Sequence, residues 1–223
     1  MPAGFDWPLV VEWIPEMWRG AVATIWISFL SLILALVLGL VVSLLRLSHM
    51  NIVRRLASFY VDLIRGTPAL IQILAIYFGL PYFGLSMPAY VAGIIALGIN
   101  SGAYISEMIR GALESLDKGQ MEAARGMGMS YSQAMRRVLL PQILQIVIPP
   151  ITGEYNSLVK GSSLLSVISI AELTRVGQRM LGVSFRPVES YLPIALIYFV
   201  INYIIVRSTN NMEKRLAARG QRV

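Results

Sequence analysis

The chain has 223 residues, 56% of them hydrophobic and only 14% charged, with a formal net charge of +7. Soluble domains carry about 25% charged residues, so this composition, with a mean hydropathy of +0.66, describes one membrane-embedded domain. The basic residues form no stripe with interleaved aromatics, which points away from nucleic acid and toward cytoplasmic loops. The absence of cysteine excludes a disulfide framework, a thiolate metal site and a Cys nucleophile.

Asp6, Glu12 and Glu16 precede the first positive charge at Arg19. The basic n-region of a cleavable signal peptide is therefore missing, and residues 1–19 are expected to form an external segment ahead of the first span. A helix crossing the ~30 Å hydrocarbon layer needs roughly 20 mostly apolar residues. Five stretches read as spans on this measure: Gly20 to Leu45, about Phe59 to Phe83, Pro88 to Ile109, Val138 to Val159, and the shorter Tyr191 to Val206. The apolar stretch Ser162 to Ala171 is too short to cross and reads as a re-entrant or interfacial piece. The fold class is thus an all-α membrane protein of about five transmembrane helices.

Placing the N-terminus outside puts thirteen of the 19 Lys and Arg residues on the inner side, against five on the outer side and Arg65 within a span. The positive-inside rule then predicts an external N-terminus and a cytoplasmic C-terminus, with 207–223 as a basic cytoplasmic tail. Two stretches between spans are long, about Arg110 to Arg137 inside and about Glu172 to Ser190 outside.

The inner stretch, 110–137, carries its own punctuation. Glu122, Ala123, Ala124 and Arg125 are good helix formers, and Asp117 is placed to cap their start. Gly128 is a plausible helix stop, while Ser130 and Gln133 have capping-box spacing for a second short helix. Pro141 stands at the entrance of the fourth span, where its missing N–H is tolerated. Small Ala and Gly residues would let another protein approach closely.

Polar residues within the spans are the remaining candidates, because ionisable groups there usually face the bundle interior or a polar path. Asp62 and Arg65 are spaced to pair on one helix face, as are Glu107 and Arg110. Glu154 sits deep in the fourth span behind Pro149, Pro150 and Gly153, which loosen the helix. Either it pairs with Lys160 or Arg65, or it receives the ammonium or guanidinium of a substrate. Asn100 suits a zwitterionic head group or an interhelical hydrogen bond. Thr67, before a kink at Pro68, and Ser163 are weaker members of the same substrate path. The scattered methionines read as packing, and His49 lies in a loop without ligand partners, so no metal site or other cofactor is expected.

Glu122-Ala123-Ala124, then Gly128, then Val138-Leu139-Leu140-Pro141 resembles the cytoplasmic "EAA" signature of ABC importer permeases, with Val138 where isoleucine is usual. Arg65-Gly66-Thr67-Pro68, the run Asn100 to Ile105 with Glu107 and Arg110, and Ala171 to Arg175 resemble the histidine, glutamine and arginine permease group. The resemblance runs from about Trp18 to Arg215. It implies the transmembrane domain of a type I (MetI-like) ABC importer over 20–206, with Glu122, Ala123, Ala124, Gly128, Leu140 and Pro141 in the element that docks on the ATPase. The implied partners are an ABC ATP-binding subunit, a periplasmic or lipid-anchored solute-binding protein, a second permease chain (identical or homologous), membrane lipid and an amino acid substrate. The family position matching Glu154 varies among Glu, Gln and Asn beside the translocation path. Where the family often has Asp after the lysine, this chain has Gly161.

No GxxxxGK[ST] phosphate loop occurs, so ATP hydrolysis falls to a separate subunit, and the chain is expected to perform no bond chemistry. The alternative is an ion-gradient-driven secondary transporter, which predicts an internal inverted repeat and acidic residues spread over several spans. Neither is evident.

Overall fold

A computed structural model describes residues 4–220, with side chains described through 209 except that of Lys118. All of its elements are helical. Helix α1 spans Trp7–Arg46, α2 Asn51–Arg65, α3 Ala69–Leu74, α4 Ala89–Ser115 and α5 Lys118–Gly126. The rest are α6 at Tyr131–Ala134, α7 at Leu140–Gly161, α8 at Leu173–Ser184 and α9 at Pro187–Gly220. Three helices (α1, α4 and the Pro187–Thr209 part of α9) are individually long and apolar enough to cross a membrane. Two bent pairs bring the number of candidate spans to five.

Helix α1 starts at Trp7, whereas the sequence placed the first span from Gly20 and left 1–19 outside it. Asp6 caps the start by accepting the Leu9 N–H at 3.2 Å, and Pro8 occupies the first turn, where its missing N–H costs nothing. Leu9, Val10, Trp13 and Met17 recur at helical spacing and pack on Leu173, Val176, Met180 and Ile194 of α8 and α9. That packing carries the helix through Glu12, Pro15 and Glu16. At 1.5 Å per residue its 40 residues extend about 60 Å, so part of it projects beyond a ~30 Å layer.

The second stretch is not one straight span. It breaks between α2 and α3 with a bend of 107°. Pro68 supplies no N–H and holds the chain extended, at φ −64 and ψ 134, so α2 ends at Arg65. The π-helical turns Ala75–Gly79 and Met135–Leu139 each end two residues before a proline, Pro81 and Pro141. Widening the turn there removes the clash between the proline ring and the carbonyl four residues back. Pro141 thus continues a helix that began at Tyr131 instead of opening one.

Helix α4 lies against α1 along a seam of glycines. A Cβ on Gly39 would stand 2.6 Å from Ile105 Cγ2, and one on Gly98 would stand 2.6 Å from Leu34 Cδ2. Membrane helices lack a hydrophobic drive toward one another, so such small residues give the close approach that dispersion requires. Ile27, Ile73, Ala96, Leu97 and Leu158 join α1, α3, α4 and α7 in the central core, with Leu165 from the segment after α7.

After α7 the chain forms a 3-10 helix, Ser162–Ile168, closed by Ser169 in the left-handed region at φ 62. This is the short apolar piece expected at 162–171. The stretch 172–190, expected to be an external loop, contains α8, set at 46° to the Tyr131–Ile168 segment. Lys214, Arg215, Arg219 and Arg222 of the expected basic tail lie outside the described side chains.

Candidate functional site

Helices α4 and α7 enclose a cavity of about 330 Å³, closed at one side by Ala69 of α3. Its polar lining is Asn100, Ser101 and Tyr104 from α4 with Glu154 and Ser157 from α7; Leu97, Leu158, Gly161 and Leu164 form the apolar wall. The Gly39, Gly98 and Gly102 seam turns one face of α4 to α1. Asn100 and Tyr104 lie across the helix from that seam, and this places them toward α7.

Glu154 is half-buried and accepts a hydrogen bond from Ser101 Oγ at 2.6 Å. Neither anticipated partner reaches it, since no ion pair among the described residues includes Lys160 or Glu154. The carboxylate keeps acceptor capacity directed at the cavity. Asn100 donates to Gln72 Oε1 at 3.0 Å. Gln72 in turn donates to Thr67 Oγ1 at 2.8 Å and to the Ile64 carbonyl at 2.8 Å. Thr67 therefore touches the site only through Gln72: it closes the break between α2 and α3 and does not line the cavity. Ser163 also lies off the cavity wall, its hydroxyl donating to the Lys160 carbonyl at 2.7 Å.

Sequence reasoning found Asn100 and Glu154 because polar groups stand out in apolar runs. It missed Ser101, Tyr104, Ser157 and Gln72. Ser157 follows Glu154 by three residues and Tyr104 follows Asn100 by four, so helical spacing from the two found residues was the available signal.

The expected pair of Asp62 with Arg65 does not form. Arg65 turns instead to Glu107, 3.8 Å away, and lies over the Tyr104 ring. Glu107 is the hub of an ion cluster, also binding Arg46 of α1 and, at 2.7 Å, Arg110 of its own helix. Arg110 then bridges to Glu114 at 2.6 Å. The expected Glu107–Arg110 pair is thus present within a larger network joining α1, α2 and α4.

Segment 110–137 forms the helix, turn and helix anticipated from its punctuation. Asp117 accepts the Gly119 N–H at 2.8 Å, and Gly128 takes φ +85, a conformation that favours glycine. Ser130 and Gln133 complete a reciprocal capping box. Ala124 is buried, whereas Glu122, Ala123, Met127, Gly128 and Tyr131 are exposed. Gln142 donates to Gln120 Oε1 at 2.7 Å, tying α5 to α7. Leu140 and Pro141 are exposed, beside the buried Leu139.

Glu172, fully buried, accepts the Thr174 and Arg175 N–H groups at 2.9 and 2.7 Å and the Tyr198 hydroxyl at 2.9 Å. It caps α8 and anchors it to α9. Among the described residues, no group of three or more His, Asp or Glu side chains is placed to hold a metal ion.

Residues 32–218 match the family described as binding-protein-dependent transport system inner membrane component. A probable amino-acid ABC transporter permease, YckA of Bacillus subtilis (strain 168), is 38% identical over 213 residues, covering 96% of this chain and 94% of the relative. The glutamine transport system permease GlnP of Escherichia coli (strain K12) is 36% identical, covering 95% and 98%. The arginine transport system permease ArtQ of Bacillus subtilis (strain 168) is 34% identical, covering 95% and 97%. Among solved structures, an amino acid ABC transporter with histidines superposes with a TM-score of 0.90 at 38% identity, over 95% of this chain and 99% of that one. The MetNI methionine transporter in an inward-facing conformation shares the fold, with a TM-score of 0.76 at 24% identity. This chain belongs to the inner-membrane permease components of binding-protein-dependent ABC transport systems.

Proposed function

We propose that this chain is the membrane subunit of an ATP-driven importer of polar amino acids, cationic ones foremost. The carrying observation is Glu154, a half-buried carboxylate on an intramembrane cavity, hydrogen-bonded by Ser101 and outside every ion pair among the described residues. A carboxylate on such a cavity without an ion-pair partner is best satisfied by a cation that arrives and leaves. A substrate ammonium or guanidinium is such a cation, and Asn100, Ser101, Tyr104 and Ser157 supply hydrogen bonds for the rest of the molecule. The relatives named for glutamine and arginine, and the structure named with histidines, fit this substrate class.

In this reading 20–206 is the translocating domain, preceded by an external N-terminal segment and followed by the cytoplasmic tail 207–223. Two such chains, identical or homologous, face each other, a solute-binding protein delivers the amino acid from outside, and an ATPase sits beneath each chain. The exposed surface of Glu122, Ala123 and Gly128 docks on the ATPase, with Leu140 and Pro141 transmitting its movement to α7. Thr67 acts on the path at one remove, by holding Gln72 against Asn100. Ser163 lies at the path's edge.

The coupling assignment is tested by co-purification. Glu122→Trp or Gly128→Val should weaken retention of the ATPase subunit while membrane insertion persists. Undiminished retention and uptake in both variants would sink it.

A further inference from the structure

Beside the ion cluster, on the same end of the bundle as the α4–α5 junction, lies a second cavity of about 290 Å³. Arg46 of α1, Arg54 of α2 and Arg110 of α4 line it, with the hydroxyls of Ser43 and Ser58 and one carboxylate, Glu114. Including Glu107 behind its wall, three guanidiniums face two carboxylates, and Arg65 adds a fourth positive charge at the far side of Glu107. The cavity is therefore net positive, which the pairing of Glu107 with its neighbours does not cancel.

Donor capacity points the same way. Each guanidinium carries five N–H groups. Arg54 directs one at Asn51 Oδ1, and Arg46 one at Glu107. Arg110 spends Nε and both terminal nitrogens on Glu107 and Glu114, so the free donors are mainly those of Arg46, held in place by Glu107, and of Arg54, guanidiniums of the kind that recognise phosphate bidentately. The apolar part of the lining is Leu47, 55% exposed, and Leu113. On α2, Ile52, Leu56, Phe59 and Leu63 form an outward stripe on the face opposite Arg54 and Ser58.

We propose that the cavity between Arg46, Arg54 and Arg110 binds a phosphate group. The exposed apolar stripe on the other face of α2 fits a phosphate carried on an anionic glycerophospholipid, whose acyl chains lie along that stripe while the headgroup reaches round α2 to the cavity. A free phosphate would use the same donors. This site is independent of the solute carried, and it lies next to the segment proposed to meet the ATPase.

The test uses the full-length chain in phosphatidylcholine nanodiscs, titrated with phosphatidylglycerol and, separately, with inorganic phosphate. Bound lipid is counted by native mass spectrometry and phosphate binding by calorimetry. Arg54→Gln should weaken binding about fivefold, the worth of one arginine near an anionic surface, and Glu114→Gln should strengthen it by removing the opposing charge. Retention of phosphatidylglycerol that millimolar phosphate does not displace identifies the lipid headgroup as the source. Phosphate binding with the same dependence on both variants identifies free phosphate. Binding of neither probe, or binding unchanged by both variants, overturns the proposal. The gain expected from Glu114→Gln cannot arise from misfolding.

Discussion

Replacing Glu154 by glutamine preserves side-chain size and leaves a carbonyl oxygen to accept the Ser101 hydroxyl, now 2.6 Å from Glu154 Oε1. The fold should survive, because no ion pair among the described residues is broken and Ser101, only 3% exposed, keeps its partner. What is lost is the charge facing the cavity. A hydrogen bond to a charged group contributes about 1.5–3 kcal/mol and a neutral one about 1 kcal/mol. The difference, about 0.5–2 kcal/mol, corresponds to roughly two- to thirtyfold in apparent affinity. Uptake of radiolabelled arginine and glutamine into vesicles containing the chain, its ATPase and its binding protein reads this directly. The arginine KM should rise by that factor, while glutamine uptake should change by a smaller one. Equal losses for the two substrates would refute recognition by Glu154 and return it to a structural role.

Other consequences concern the scaffold. Gly98→Ala places a Cβ 2.6 Å from Leu34 Cδ2, and overpacking of this kind costs about 1–3 kcal/mol, visible as a lowered Tm of the purified chain. Glu172→Ala removes the cap of α8 and a bond to Tyr198, which should cost about 2 kcal/mol or more and raise proteolysis around 172–190. Ser130→Ala opens the capping box of α6, a loss of about 1 kcal/mol; hydrogen exchange should quicken at the Gln133 amide and leave α4 unaffected.

The apolar cores of α1, α4, α7 and α9 were legible because hydropathy alone marks a helix that crosses lipid. The short helices α5 and α6 were legible because Asp117, Gly128, Ser130 and Gln133 each perform a local task that sequence spacing reveals. The start of α1 was not, since Glu12, Pro15 and Glu16 resemble a loop until Trp13 and Met17 find α8 and α9 to pack against. Helix α8 did carry a pattern, Leu173, Val176, Gly177 and Met180 at helical spacing, in a stretch too polar to register as a span.

At the site, Asn100 and Glu154 were conspicuous individually, yet their meeting depends on the rotation of α4 about its axis. The glycine seam with α1 sets that rotation, and a glycine's neighbour across a helix interface is not written in its own segment. Arg65 shows the same limit more sharply. Asp62 was its partner by spacing, whereas Glu107, far along the chain, is its partner in space.

The central claim, ATP-driven import of polar amino acids through the cavity at Glu154, is tested most directly by uptake in reconstituted vesicles. The chain is incorporated with its ATPase and binding protein, ATP is supplied to the ATPase side, and the twenty amino acids are presented one at a time. The account predicts uptake that requires ATP and is strongest for arginine, lysine or histidine. Uptake of no amino acid, or uptake driven by an ion gradient without ATP, would contradict it.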